Sequence, residues 1–145
     1  MGTKRFPRWP IAALALLLTP ACAAKSDPSP PTSVTAALGT QFNLAPGSTA
    51  HLDDDHLTIL FREVSGDSRC PKGATCVWAG DATILTTVTT PTTQSTPELH
   101  ATPQFPMSAT VDGYEIKVIA LDPYPRTSEN ISPADYRVDL LVTRG

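Results

Sequence analysis

Three groups of residues in this chain have types and spacings that could do chemistry. Cys70 and Cys76 stand in Ser68-Arg69-Cys70-Pro71-Lys72-Gly73-Ala74-Thr75-Cys76-Val77-Trp78-Ala79-Gly80-Asp81. His51-Leu52-Asp53-Asp54-Asp55-His56 is the densest run of metal-capable side chains. Cys22 ends an apolar leader, in Leu18-Thr19-Pro20-Ala21-Cys22. The first group could form a disulfide, the second could hold a cation, and the third could carry a lipid.

Each group has a plain reading beside its functional one. In an exporting, oxidising compartment Cys70 and Cys76 pair. Chain entropy gives about 2.4 kcal/mol for closing so short a loop. The plain role is a staple on a turn between two strands. The functional one is a recognition or inhibitory loop that presents Pro71, Lys72 and Gly73 to solvent, already restricted before it binds. A redox role fits poorly, because thiol oxidoreductases space their cysteines by two residues. Zinc would need two further ligands, and none stands nearby. Trp78 follows Cys76 by two positions. Read as strand, that spacing puts it on the same face and packs the indole on the disulfide or the core. Its functional alternative is an exposed anchor for a partner.

For His51, Asp53, Asp55 and His56 the plain reading is a solvated hairpin turn. Consecutive acids need not converge, and Ca²⁺ loops set their ligands at alternate positions around a glycine. Weak Zn²⁺ or Cu²⁺ capture by His51 and His56 is the alternative, and no metal or cofactor is assigned. His100 stands alone and reads as a surface residue. There is no Gly-x-Ser-x-Gly elbow, no His-Glu-x-x-His and no phosphate loop. Nothing favours one carboxylate pair among the 14 acidic residues as catalytic, so the expectation is a non-enzymatic protein.

The leader sets the compartment. Lys4, Arg5 and Arg8 precede an apolar run from Ile11 to Leu18, and small residues follow at Ala21, Ala23 and Ala24. This is a secretory signal layout. The run is far shorter than the ~20 residues a membrane-spanning helix needs. Ala21-Cys22 resembles the end of a bacterial lipobox, where the cysteine is acylated and becomes the new N-terminus. Thr19 and Pro20 depart from that pattern. The rival is cleavage after Ala23. Either route leaves Cys70 and Cys76 as a pair, so cysteine parity does not choose between them. Acylation buries many methylenes at ~0.8 kcal/mol each and would hold the domain on a membrane.

Lys25 to Ser33 contains Pro28, Pro30 and Pro31 among small polar residues, which is tether composition. The expected organisation is a signal peptide over 1–22, a tether over 23–36 and one domain over 37–145. All 14 acidic residues but only eight of the 11 basic ones follow Cys22, a net charge of −6. That charge argues against nucleic-acid binding, which wants a basic face.

The domain reads as short strands. Gln41 to Leu44, Thr49 to Leu52, Leu57 to Val64, Ala82 to Thr89, Ala109 to Val111, Tyr114 to Leu121 and Tyr136 to Thr143 carry alternation. Along Tyr114 to Leu121, the residues Tyr114, Ile116, Val118 and Ala120 fall on one face. Asp112-Gly113 is a hairpin signal. Thr90 to Pro106, with four prolines, reads as a long connection with one edge strand near Leu99. Asp122-Pro123-Tyr124-Pro125 must leave the sheet. Ser132 to Tyr136 allows one helical turn with Pro133 at its start. Seven or eight strands, each with an apolar face, imply an all-β fold: a single antiparallel β-sandwich, immunoglobulin-like, or a small barrel.

Asp67-Ser68-Arg69-Cys70-Pro71 with Gly73, then Cys76-Val77-Trp78-Ala79-Gly80, resembles the signature of a family of small exported bacterial proteins and lipoproteins. Leu121-Asp122-Pro123-Tyr124-Pro125 and the strand from Tyr136 are similar to it as well. The likeness spans about Phe42 to Val142. It implies export, a single domain and the disulfide, and it transfers no catalytic residue. The expected protein is a lipid-anchored component of the cell envelope. Its partners would be the membrane, through the anchor, and an envelope protein or small ligand. The alternative address is soluble, secreted or periplasmic.

Overall fold

A computed structural model describes residues 32–127 and 130–145. Cys22 and the leader lie outside the described residues. Ten strands are present among those described: β1 (Ser33–Thr35), β2 (Phe42–Leu44), β3 (Thr49–Leu52), β4 (Leu57–Asp67), β5 (Ala82–Thr89), β6 (Gln94–Ser95), β7 (Glu98–His100), β8 (Ser108–Val111), β9 (Tyr114–Asp122) and β10 (Arg137–Arg144). One sheet runs β1-β3-β4-β5-β6, with β7 also paired to β5, and the other runs β2-β10-β9-β8. The two sheets pack face to face as a sandwich, with no closed barrel. All pairings are antiparallel except β1 with β3.

Period-two alternation explains the layers, because successive side chains of a strand point to opposite faces. On the first sheet Ala50, Leu52, Leu57, Ile59, Phe61, Ile84, Val88 and Leu99 are buried. Leu44, Ile116, Val118, Val138, Leu140 and Val142 meet them from the second. The Asp112-Gly113 pair forms the β8–β9 hairpin with positive φ at both residues, 49° and 80°, as a two-residue turn of this kind requires.

Several expectations are corrected. The count is ten strands rather than seven or eight: the edge strand expected near Leu99 is β7, but β1 and β6 are too short to carry a readable pattern. The tether ends before 36, since Ser33, Val34 and Thr35 pair with Thr49, Ala50 and His51. β4 continues past Val64 to Asp67, with register shifts against β5 between Phe61 and Glu63 and between Val64 and Gly66. On β9 a register shift opposite Asp139 and Leu140 leaves Ile119 without a partner. The alternation therefore changes phase, and Leu121 is buried where Ala120 was expected. A single 3-10 turn spans Pro133–Asp135 with Pro at its start. Among the described residues no helix is long and apolar enough to cross a membrane.

Candidate functional site: a clamped disulfide loop

The cysteine loop is the tip of the β4–β5 hairpin. Pairing continues beyond the strands: Ser68 N–H donates to Asp81 O at 2.7 Å and Cys70 N–H to Ala79 O at 2.7 Å. The Ser68 hydroxyl donates to Asp81 O and accepts from Asp81 N–H, both at 3.1 Å. Gly80 lets the chain fold this tightly. Its φ is +68°, and a Cβ there would stand 1.8 Å from Ser68 O, so no other residue fits. Beyond this ladder Cys70 and Cys76 are bonded, with Cα atoms 6.0 Å apart.

Arg69 fixes the loop to the rest of the molecule. It is only 4% exposed. Its Nε and Nη2 donate to both oxygens of Asp67, at 2.9 and 2.6 Å. Its Nη1 donates to Leu121 O at 2.6 Å and its Nη2 to Pro123 O at 3.0 Å. The guanidinium also lies over the Tyr124 ring, 5.1 Å from its centroid. The Tyr136 hydroxyl donates to Asp67 Oδ2 at 3.1 Å. One ion pair thus joins the end of β4, the segment leaving β9 and the residue entering β10. A bidentate, charge-assisted pair suits this work because its fork sets geometry as well as energy.

The electrostatics follow. Burial raises the Asp67 carboxyl, but the hydrogen bonds and charge of Arg69, with the Tyr136 hydroxyl, outweigh it and hold its pKa below the ordinary carboxylate value. Tyr136 moves the other way: burial pushes its phenol up, and the neighbouring Asp67 charge adds to that.

The loop's far side docks on the same segment. Lys72 N–H donates to Pro125 O at 2.9 Å, and Lys72 bridges to Arg126. Lys72 Nζ stands 5.5 Å from the Tyr124 centroid. An open groove beside it is lined by Lys72, Pro123, Tyr124, Arg126 and Ile131. At the base of the loop Asp81 accepts from the Thr102 hydroxyl at 2.9 Å and pairs with His100 Nδ1 at 2.6 Å. His100 in turn stacks on Phe105.

Against this geometry several expectations change. Pro71 is half-buried, and Lys72, though exposed, is held by Pro125 and Tyr124. The loop does not present Pro71, Lys72 and Gly73 as a free triplet. Trp78 does not pack on the core. It is 78% exposed, and its neighbour Val77 is fully exposed. Val77 and Trp78 lie in a bend outside any strand, so counting two from Cys76 does not predict a face. His100 is not alone but part of the loop's base. His51 Nδ1 pairs with Asp55 at 2.8 Å, while His56 Nδ1 meets the Asp53 backbone carbonyl at 2.7 Å. Asp53 accepts from the Tyr114 hydroxyl at 2.5 Å and from Arg144 at 3.0 Å. Among the described residues no three His, Cys, Asp or Glu side chains gather as a metal site.

Neither known protein families, nor curated proteins, nor solved structures contain a match to this chain. The site must be read from its own residues. Sequence reasoning missed Arg69 as the organiser. The available signal was Asp67-x-Arg69 at a strand end, where positions i and i+2 share a face.

Proposed function

We propose that this chain is a lipid-anchored envelope protein whose role is binding or support rather than catalysis, with the cysteine loop as its working surface. The observation that carries the reading is the pairing of rigidity with exposure. Disulfide, ladder and Arg69 clamp hold a loop in which two apolar residues, Val77 and Trp78, are bare. A binding surface gains from such pre-organisation, because little freedom is left to lose on contact. The lipobox-like Cys22 and the Pro-rich stretch after it support the anchor.

The inhibitor reading has less support, because the Lys72 backbone is already hydrogen-bonded to Pro125. Metal capture has less support too, because among the described residues no three His, Cys, Asp or Glu side chains gather around a common point. The experiment is fractionation of cells expressing the full chain or Cys22→Ala. The wild type is expected in the membrane pellet and the variant in the supernatant. Equal, tight membrane retention of both would overturn the anchor.

A further inference from the structure

We infer that the Val77–Trp78 tip is a second membrane contact, seated in the headgroup layer of the bilayer that holds Cys22. This rests on the anchor reading above and names the partner of the same loop.

Strand direction is the first argument. β1 is parallel to β3, and β3 is antiparallel to β4. Moving backwards along β1 is therefore moving forwards along β4, toward Asp67 and the loop. The Thr49 N–H donates to Thr32 O at 3.0 Å, so that course holds to the first described residue. The chain enters the sandwich from the side on which the cysteine loop projects.

Length is the second. Ser33 is level with Thr49, Thr49 with Leu60 and Leu60 with Thr87. From Thr87 back to Ala79 the hairpin rises ~26 Å at the usual strand spacing. From Ser33 back to Cys22 a Pro-rich chain in polyproline II geometry reaches ~34 Å. At that reach an acylated Cys22 lies only ~8 Å past the level of Ala79, the residue next to Val77 and Trp78. A stretch of this length does not hold the loop clear of the bilayer.

Composition is the third. Of the five exposed large hydrophobic residues among those described, Val77, Trp78, Phe105 and Tyr124 belong to this end of the sandwich. Phe105 is tied to it through His100 and Asp81, and Tyr124 through Arg69 and Lys72. Trp and Tyr favour the membrane–water boundary, where one side of the ring is apolar and the other wet. A two-residue tip is too small to supply the ~800 Å² per partner of a standard protein interface. It is large enough to orient a domain that a lipid already holds.

Trp78 is the only tryptophan after Cys22, so emission of the mature protein reports the tip alone. The test reconstitutes the lipidated full chain into phosphatidylcholine vesicles with plain or brominated acyl chains. Brominated lipid is expected to lower Trp78 emission about twofold, as for an indole at the interface. Val77→Asp should lose that quenching while still pelleting with the vesicles. Membrane-bound protein whose emission ignores bromine would overturn the proposal and leave the anchor standing. A blue shift without bromine quenching would also overturn it, in favour of contact between copies of this chain. Wild-type protein in the supernatant would remove the anchor and the proposal together.

Discussion

Arg69 is the residue on which the candidate site turns, and its pairing with Asp67 makes a pH-dependent prediction. Their side chains are 3% and 9% exposed. The Asp67 pKa is lowered in the folded protein. Its stabilising contribution is therefore complete above the unfolded value, near 3.8. It is lost as pH falls through the lower folded value. Asp67→Asn strands a buried guanidinium and should cost about 3–5 kcal/mol at neutral pH. It should also flatten the acid limb of a stability–pH profile measured by urea melts. A variant as stable as wild type with an unchanged acid limb would contradict the clamp. Only the Asp67-x-Arg69 spacing was readable beforehand. The partners of Arg69 come from Leu121, Pro123, Tyr124 and Asp67, and sequence spacing does not bring the first three to it.

At the level of elements, the β4–β5 hairpin is two structures in series. Its first half is core strand, where Ile59 pairs with Val88 and Phe61 with Thr86. Its second half runs through two register shifts into a polar ladder that ends in the loop. The alternation was legible for the first half and stopped at Val64. After Phe61, bulges and side-chain hydrogen bonds replace apolar burial, and they leave no periodic trace. β9 failed in the same way at one position, because the unpaired Ile119 exchanges the roles of Ala120 and Leu121. β3 and β5, without bulges inside their readable runs, matched their expected bounds. Since ladder and clamp hold the loop independently of the sulfurs, the Cys70→Ser, Cys76→Ser double variant should keep its far-UV circular dichroism. It should lose about 2.4 kcal/mol in urea unfolding. Complete loss of structure would mean that the disulfide, not Arg69, carries the loop.

The whole molecule has two differently built ends. Around the Asp53 turn, Asp53 collects the Tyr114 hydroxyl and Arg144, while Asp112 accepts from the Thr90 and Thr92 hydroxyls. That end is closed by polar contacts between the sheets. The other end carries the exposed apolar side chains, and the incoming chain points toward it. The sandwich was legible from composition and alternation, because two apolar-faced sheets must cover each other. The polarity of the molecule was not, because it depends on a three-residue strand pairing parallel to β3. Peptide mapping of the mature protein by mass spectrometry, without reduction, tests the central claim most directly. The account predicts an N-terminal peptide that begins at acylated Cys22, and a Cys70–Cys76 cross-link in the same preparation. An unmodified N-terminus past Cys22, or free thiols at both Cys70 and Cys76, would contradict it.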